Sequence, residues 1–310
     1  MKDLVKKIKE LKEKRNAVIL VHNYQRPEVQ DIADFTGDSL GLSTEASKTN
    51  ADVIVFCGVY FMAETAKILS PKKTVLIPDP SAGCPMADMI TAQDVRTLRE
   101  QHPKAKVVCY VNTSADVKAE CDYCCTSANA VEMLQDGFTD KDEIIFVPDK
   151  HLGSYAAFKA NRNVIFWEGY CPSHAKILPE HIFALKREHP QAKVMAHPEC
   201  SAAVLKISDA ILSTSGMLKY AKESTAKEFI VATEIGMEYP LKVENPTKVF
   251  YPATLLASCP NMKKTTLEKV VQSLEKMIYE VTLSNDLIAR AKKPIDNMLR
   301  FRKDAQLTKR

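Results

Sequence analysis

Short apolar runs alternate with longer helical patterns along most of this chain. The runs 17–21, 53–57 and 106–109 consist largely of aliphatic and β-branched residues and lie between turn residues. Strands that are buried on both faces of a parallel sheet have this continuous apolar character. Alternation of such strands with helices is typical of the α/β class. The pattern therefore predicts parallel sheets that are covered by helices on both faces.

One dipeptide indicates that these elements form an internal repeat. Cys-Pro occurs at Cys84, Cys171 and Cys259, with spacings of 87 and 88 residues, and each copy follows a β-prone run. Chance pairing of 9 Cys with 16 Pro in 310 residues would give roughly half of one such dipeptide. We infer that one structural unit is used three times and that each copy supplies one thiol.

Other polar residues keep the same register. The first strand of each unit ends in polar residues, which begin at His22, Tyr110 and His197. A small polar element that is predicted to open a helix follows in each unit, at 37–40, 126–129 and 213–216. Each unit therefore reads as strand, helix, strand, helix, strand and cysteine.

The repeat predicts three homologous three-layer αβα domains with parallel sheets, related by a pseudo-threefold axis. A single closed barrel of eight βα units is the alternative, but nine main strands in three sets favour three separate sandwiches. The predicted units carry Cys84, Cys171 and Cys259 in turn, and their bounds are 13–94, 95–182 and 183–265, with terminal helices in 1–12 and 266–310 packing on them.

The C-terminal region is predicted to be a packing element. Residues 265–268 have the Thr-x-x-Glu pattern of a capping box. They are predicted to open a long helix that continues through Val281 and is interrupted by Pro294. At the other end, Leu4, Ile8 and Leu11 share one helical face, so the lysines around them are interpreted as a solvated face.

Composition and charge exclude several classes of partner. The formal net charge is +4, and no basic motif interleaved with aromatic residues occurs, so no nucleic-acid partner is predicted. No run approaches the roughly 20 apolar residues of a membrane span, and the basic start lacks the apolar core of a signal peptide. The sequence predicts a cytoplasmic protein with no membrane partner.

Cysteine chemistry suggests a metal centre. Disulfides are rare in the cytoplasm, and the three Cys-Pro thiols lie just beyond strand ends, where open α/β sheets bind ligands. Three widely spaced thiolates suggest one 4Fe-4S cluster with three Cys ligands and one open iron, which would act as a Lewis acid. Zinc with three Cys and a water, or three unrelated core cysteines, are the alternatives.

The remaining cysteines have less specific interpretations. Cys121, Cys124 and Cys125 form a cluster that is read as structural, as a redox-sensitive pair or as a metal site, in that order. Cys57, Cys109 and Cys200 lie in or beside predicted strands and are interpreted as core residues.

Taken together, the motifs resemble quinolinate synthase, the bacterial and archaeal enzyme of NAD biosynthesis, over nearly all of 15–300. The ordered set is specific, although any single motif is weak. It comprises Val-His-Asn-Tyr at 21–24, Gly-Asp-Ser-Leu at 37–40, Tyr-Val-Asn-Thr-Ser-Ala at 110–115, Pro-Asp-Lys-His-Leu-Gly at 148–153, Trp-Glu-Gly-Tyr-Cys-Pro-Ser-His at 167–174, His-Pro-Glu-Cys at 197–200, Ser-Thr-Ser-Gly at 213–216 and Cys-Pro-Asn-Met at 259–262.

The resemblance implies three αβα domains around a pseudo-threefold axis, with the three-Cys four-iron cluster at the centre. It also implies condensation of iminoaspartate with dihydroxyacetone phosphate to quinolinate, with release of phosphate and two waters. A functional link to an oxidase that produces iminoaspartate follows from that substrate. A non-catalytic iron-sulfur redox sensor and another iron-sulfur hydroxy-acid dehydratase are the alternative functions.

Residue roles are assigned from the strand ends and the matched motifs. Glu199 and Tyr24 are predicted to perform acid and base chemistry, with Tyr110 assisting. The substrates carry carboxylates and a phosphate, which helix starts bind well. The predicted substrate-binding residues are His22, Ser39, Asn112, Ser127, His174, His197, Ser213 and Thr214. The alternatives are ordinary helix caps for the hydroxyls and a structural role for His174.

Overall fold

Three separate parallel sheets form in the computed structural model, which describes residues 1–300 together with 308 and 309. The first sheet contains β1 (Ala17–His22), β2 (Phe35–Gly37), β3 (Val53–Cys57) and β4 (Thr74–Leu76). The second contains β5 (Lys106–Tyr110), β6 (Tyr123–Cys125), β7 (Ile144–Val147) and β8 (Ile165–Phe166). The third contains β9 (Lys193–Ala196), β10 (Ala210–Ile211), β11 (Glu228–Ala232) and β12 (Val249–Pro252).

All three sheets have the same strand order, in which the second strand lies at one edge and the first strand beside it. The orders are β2-β1-β3-β4, β6-β5-β7-β8 and β10-β9-β11-β12. A short antiparallel strand, β13 (Thr308–Lys309), pairs with the outer edge of β2. The α/β class with three repeated parallel sheets is therefore confirmed.

Each sheet contains one short strand that the sequence pattern did not reveal. The prediction of three strands per unit was wrong, because β2, β6 and β10 are only 3, 3 and 2 residues long. A strand of this length is too short to show either an alternating or a continuous apolar pattern. The predicted bounds of the three units stay a prediction, although the four parallel strands of each sheet lie inside one of them.

Strand β1 shows how the apolar runs produce layers. Ile19, Leu20 and Val21 are fully buried, and successive residues contact different cores. Leu20 packs in the large central core, while Ile19 and Val21 pack against the terminal helices. Successive side chains of a strand point to opposite faces of the sheet, so a strand that is covered on both sides is apolar throughout.

Helices connect the strands and cover the sheets. They are α1 (Lys2–Lys14), α2 (Pro27–Gln30), α3 (Ser39–Lys48), α4 (Tyr60–Leu69), α5 (Ala92–Gln101), α6 (Ala115–Ala119), α7 (Ala130–Asp136), α8 (Lys150–Ala160), α9 (Pro179–Glu188), α10 (Ala202–Lys206), α11 (Thr214–Glu223), α12 (Glu238–Glu244), α13 (Leu267–Lys276) and α14 (Asn285–Arg300). None of the helices in this part of the chain has the length and apolar character that crossing a membrane requires.

The C-terminal region differs from its predicted course. Helix α13 ends before Met277, which has a left-handed backbone with φ of 51°, so the helix does not reach Val281. Pro294 does not separate two segments but lies inside α14, which packs against α6 and β6. This packing offsets the backbone hydrogen bond that proline removes from a helix. Part of the predicted terminal segment, 301–307 and 310, lies outside the described residues.

The cap of α13 also differs from the predicted capping box. Thr266, not Thr265, is the N-cap, and its hydroxyl accepts a hydrogen bond from the backbone N-H of Lys269. Thr265 is fully buried, and its hydroxyl has no hydrogen-bond partner among the described residues. The pattern therefore located the helix start correctly to within one residue but assigned the wrong threonine.

Replacing these two threonines should have opposite effects on stability. Thr266→Ala should lower the free energy of unfolding by about 1 kcal/mol, because it removes the cap. Thr265→Val should leave it unchanged or raise it, because a buried hydroxyl without a partner carries a desolvation cost. Urea denaturation of the two variants measures the difference. A larger loss in Thr265→Val than in Thr266→Ala would show that Thr265 is the cap.

Candidate active site

The carboxyl ends of the first strands from all three sheets open into one cavity. His22, Tyr110 and His197 end or directly follow β1, β5 and β9, and all three line the cavity. The space not filled by protein atoms is about 670 Å³, including its open mouth. Much of that space is open to solvent, and the positions available to the centre of a water-sized sphere amount to about 70 Å³. The three units therefore converge on one shared cavity.

The three Cys-Pro cysteines line this same cavity. Cys84, Cys171 and Cys259 are each partly exposed, whereas the other six cysteines are buried. A short 3-10 turn follows each Cys-Pro in the same register, at Ala87–Met89, His174–Lys176 and Met262–Lys264. The repeat inferred from sequence thus corresponds to one structural motif that presents a thiol to the cavity three times.

A buried ion pair supports the loop of the third cysteine. Glu234 follows β11 at only 1% exposure, and its Oε1 accepts a hydrogen bond of 2.9 Å from the backbone N-H of Cys259. The same carboxylate lies 3.0 Å from Nζ of Lys263. Lys263 also donates to the backbone carbonyl of Tyr24 in the first unit. These contacts join the third cysteine loop to the loop that carries Tyr24.

A continuous hydrogen-bond chain crosses the cavity wall from Tyr110 to Tyr24. The Tyr110 hydroxyl donates to Glu199 Oε1 at 2.6 Å, and Glu199 Oε2 lies 2.8 Å from His174 Nδ1. His174 Nε2 then lies 2.8 Å from the hydroxyl of Thr233, which lies 2.6 Å from the Tyr24 hydroxyl. The chain joins all three units, so a proton has a connected set of donors and acceptors across the site.

Burial and neighbouring charges set the protonation states along this chain. Burial opposes ionisation of Glu199, but His174 and His197 and the hydrogen bonds from His174 and Tyr110 hold its pKa well below its usual range. Burial and the Glu199 charge raise the pKa of Tyr24 and Tyr110 well above the ordinary value. At neutral pH the carboxylate is therefore ionised and accepts hydrogen bonds, and the two phenols are protonated and can donate them.

The two strand-end histidines are held neutral. Burial lowers the pKa of His22 to about 3, with His197 as the next cause. Burial likewise lowers the pKa of His197 to about 3, against the opposing effect of Glu199. A neutral imidazole offers one donor and one acceptor nitrogen. Both rings are therefore suited to orient ligand oxygens by hydrogen bonding.

Three hydroxyls in repeat register also line the cavity, and none of them belongs to the N-cap residue of its helix. Ser39, Ser127 and Thr214 are cavity residues, whereas the N-caps of α3, α7 and α11 are Asp38, Asn129 and Ser213. Ser127 Oγ lies 3.2 Å from His197 Nε2, and Thr214 Oγ1 accepts a hydrogen bond of 2.9 Å from Asn23. Capping therefore does not account for these hydroxyls.

The structure brings together all but one of the predicted site residues. Ser213 is the exception: it does not line the cavity, and its hydroxyl accepts a hydrogen bond of 3.2 Å from the backbone N-H of Gly216. Ser213 therefore caps α11, and its position gives no support to the substrate-binding role predicted for it, which stays a prediction. Cys121, Cys124 and Cys125 do not line the cavity either and lie buried in the core of the second unit.

Several site residues were missed by sequence reasoning. Thr233 and Glu234 follow β11, where polar residues after an apolar run could have indicated them. Asn23 lies inside the Val-His-Asn-Tyr motif at 21–24, but its residue type alone does not indicate its contact with Thr214. Lys263 sits in a basic stretch that gives no signal of a buried ion pair. These residues connect units that are distant in sequence, so only the fold identifies them.

Comparison with known proteins agrees with this geometry. The sequence model of the quinolinate synthetase A protein family matches residues 6–300. The chain belongs to the quinolinate synthetase A family. It is 54% identical over 297 residues to quinolinate synthase 1 of Methanosarcina acetivorans, covering 96% of this chain and 97% of that relative.

Quinolinate synthases of two other organisms are similar to this chain at nearly the same identity. The chain is 52% identical over 294 residues to a quinolinate synthase of Dehalococcoides mccartyi strain CBDB1, covering 95% and 97% of the two chains. It is 51% identical over 297 residues to a quinolinate synthase of Geobacter metallireducens, covering 96% and 97%. The matches cover nearly the whole length of these relatives, and this chain is an enzyme of the same family.

Proposed function

We propose that this protein is a quinolinate synthase that condenses iminoaspartate with dihydroxyacetone phosphate and releases phosphate and two waters. Family membership supports the product, and the cavity supports the chemistry. The observation that carries the proposal is the chain from Tyr110 through Glu199, His174 and Thr233 to Tyr24, in the same cavity as three repeated thiols. Quinolinate made in this way would supply NAD biosynthesis.

The three thiols fit a bound cationic cluster. Burial raises the pKa of Cys84 to about 12 and also raises the pKa of Cys171 and Cys259 above the ordinary value. Without a cation these thiols would stay protonated, and a coordinated metal reverses that preference. No fourth cysteine lines the cavity in the described part of the chain. This set fits one 4Fe-4S cluster with three Cys ligands and an iron that has no protein thiol.

A second possible ligand group lies in the same cavity and is better explained by hydrogen bonding. Cys171, His174 and Glu199 offer ligand atoms within 4.8 Å of one another. His174 Nδ1 already lies 3.1 Å from Cys171 Sγ and 2.8 Å from Glu199. A metal on this trio would break the chain to Thr233 and Tyr24, so we assign His174 and Glu199 to proton transfer and leave Cys171 to the cluster.

The remaining chemistry is assigned to the residues of the chain. A bound cluster with one open iron supplies a Lewis acid that polarises a substrate hydroxyl or carboxylate. Glu199, ionised and buried, accepts a proton, while Tyr24 and Tyr110 donate protons to departing hydroxyl groups. His174 and Thr233 hold Glu199 and Tyr24 in one connected network.

Binding of the anionic groups of the substrates is assigned to hydroxyl and other small polar side chains that line the cavity. Ser39 and Thr214 are the first residues of α3 and α11, where backbone N-H groups and the positive helix end favour negative charge. Ser127 presents its hydroxyl from the equivalent position of the repeat, in the segment before α7. Asn112 lines the cavity with a carbonyl oxygen that has no hydrogen-bond partner among the described residues. The amide N-H groups of Asn112 and the N-H groups of the neutral His22 and His197 are the donors for carboxylate and phosphate oxygens, and the Asn112 carbonyl oxygen accepts from a ligand hydroxyl or amine.

The broader cellular context belongs to the same proposal. A cytoplasmic location and a functional link to an oxidase that supplies iminoaspartate follow from the proposed substrates. The three predicted units, 13–94, 95–182 and 183–265, each contribute one cluster cysteine.

Anaerobic reconstitution tests both the reaction and the ligands. Protein reconstituted with iron and sulfide should form quinolinate from iminoaspartate and dihydroxyacetone phosphate. Cys84→Ala, Cys171→Ala and Cys259→Ala should each lose the intact cluster and the activity, as measured by iron and sulfide content and product formation. Cys121→Ala is the matched control and should retain the cluster. Full cluster content in an active Cys84→Ala variant would refute the ligand set, and zinc in place of iron would refute the cofactor.

Neighbouring hydroxyls on α11 separate ligand binding from capping. Thr214→Val should weaken quinolinate binding about 10- to 150-fold, which corresponds to loss of one hydrogen bond to a charged group. Ser213→Ala should instead lower the free energy of unfolding by about 1 kcal/mol, because it removes the N-cap, and should leave affinity near wild type. Titration calorimetry and thermal denaturation of both variants measure these effects. Equal affinity in wild type and Thr214→Val would remove Thr214 from the binding site.

A further inference from the structure

Two buried side chains hold the loops that follow the first strands of the first and second units. Gln30 Nε2 donates to the backbone carbonyls of Asn23 and Gln25 at 3.0 Å each, with a longer contact of 3.4 Å to the carbonyl of Gly236. Lys118 Nζ donates to the carbonyl of Val111 at 2.8 Å and to that of Thr113. Both side chains are fully buried.

These donors and their acceptors occupy the same positions of the repeat. Gln30 and Lys118 are 88 residues apart, and the same interval relates Asn23 to Val111 and Gln25 to Thr113. It also relates His22 to Tyr110 at the ends of the first strands. An amide and an ammonium group therefore make the same pair of contacts at equivalent places in two units.

The residue between the two held carbonyls is a site residue in each unit. Tyr24 lies between Asn23 and Gln25, and Asn112 lies between Val111 and Thr113. The Tyr24 hydroxyl ends the hydrogen-bond chain at Thr233, and Asn112 lines the cavity. Holding the peptide before this residue and the carbonyl of the residue after it restricts the backbone of the segment between them, and so the direction of the side chain.

We propose that Gln30 and Lys118 are positioning residues, each of which acts through the site residue that it brackets, Tyr24 or Asn112. The functional part of this inference rests on the proposed activity of the cavity. Neither side chain lines the cavity, so the proposed action is indirect. Misplacement of a reacting or binding group by about 1 Å can cost about 100-fold in rate.

The third unit fixes its loop by a different device. The position equivalent to Lys118 is Leu205, which has no donor, and the position equivalent to Val111 is Pro198. The proline ring fixes the backbone φ directly. Glu199, which follows Pro198, is further held by Tyr110 and His174. The three units therefore restrain equivalent loops with an amide, an ammonium group and a proline.

Charge compensation allows a lysine to occupy this buried position. Glu64 on α4 accepts a hydrogen bond of 3.0 Å from the backbone N-H of Ala115, at the start of the helix that carries Lys118. Burial raises the pKa of Glu64, and the Lys118 charge opposes that shift. The Phe61 ring lies with its centroid 5.4 Å from Lys118 Nζ, which adds a cation-π contact. A buried charge is costly without compensation, and the direct contacts that Lys118 makes are the two carbonyls and the Phe61 ring, with Glu64 acting through its charge.

The repeat itself supplies the test variants. Lys118→Gln introduces the residue of the first unit and keeps donor hydrogens, whereas Lys118→Met has a similar length and no donor. Hydrogen exchange by mass spectrometry should show exchange about tenfold or more faster in 110–114 for Lys118→Met, because two hydrogen bonds to the loop are lost. Lys118→Gln should restore most of the protection. Unchanged exchange in Lys118→Met would overturn the proposal, and so would failure of Lys118→Gln to restore protection.

A double-mutant cycle tests whether Lys118 acts through Asn112. Lys118→Met should lower kcat/KM for quinolinate formation about 10- to 100-fold in wild-type background. In the Asn112→Ala background, Lys118→Met should lower kcat/KM less than about threefold, because the side chain that Lys118 positions is then absent. Equal losses in both backgrounds would overturn the positioning role. Iron content close to wild type is required in each variant, so that cluster loss is not counted as mispositioning.

Two further variants are available if Lys118→Met does not fold. The double variant Lys118→Met with Glu64→Gln removes both charged groups together. Gln30→Leu introduces the residue type of the third unit, and the exchange measurement is then repeated on 22–26. Loss of protection there supports the proposal, and unchanged protection overturns it. If the wild-type protein makes no quinolinate, the proposed function fails while the exchange data still decide whether the two donors hold their loops.

Discussion

The site depends on keeping one carboxylate charged in a place where water is largely excluded. Glu199 is 4% exposed, and burial alone would favour its protonated form. The adjacent His174 and the Tyr110 hydroxyl reverse that preference through hydrogen bonds of 2.8 and 2.6 Å. Because these partners come from the first-strand loop and the cysteine turn of the second unit, the charge on Glu199 requires that the second and third units dock correctly.

The three units share one backbone arrangement but differ in the side chains that they place at the cavity. The strand-end positions contain His22, Tyr110 and His197, and all three line the cavity. Tyr110 differs from the two histidines in residue type, and the two histidines differ in their hydrogen-bond partners. The Cys-Pro cysteines remain identical in all three units, as the proposed shared cluster requires. Two residues after the strand-end position, Tyr24, Asn112 and Glu199 offer a donor, an amide and an acceptor. One backbone motif therefore produces an asymmetric site.

Sequence reasoning located most of the site because strand ends and repeat register are both visible in the sequence. Cys84 and His197 were found this way, without any knowledge of contacts. The same reasoning assigned Ser213 to ligand binding, because a cap and a ligand-binding hydroxyl have the same residue types at a helix start. Thr233 and Lys263 act through contacts between units. Hydrophobic periodicity in the sequence does not reveal the short strand β10. It also does not reveal that Pro294 lies buried inside α14.

Turnover of Glu199→Gln with an intact cluster tests whether catalysis needs the Glu199 carboxylate. The substitution keeps the shape of the side chain but removes its negative charge and its ability to accept a proton. We expect quinolinate formation to fall by about 10² to 10⁴-fold, the usual contribution of a positioned acid or base. Iron and sulfide content should stay at the wild-type level. Near-normal turnover with a full cluster would contradict the assignment of Glu199 as the proton acceptor on which the site is built.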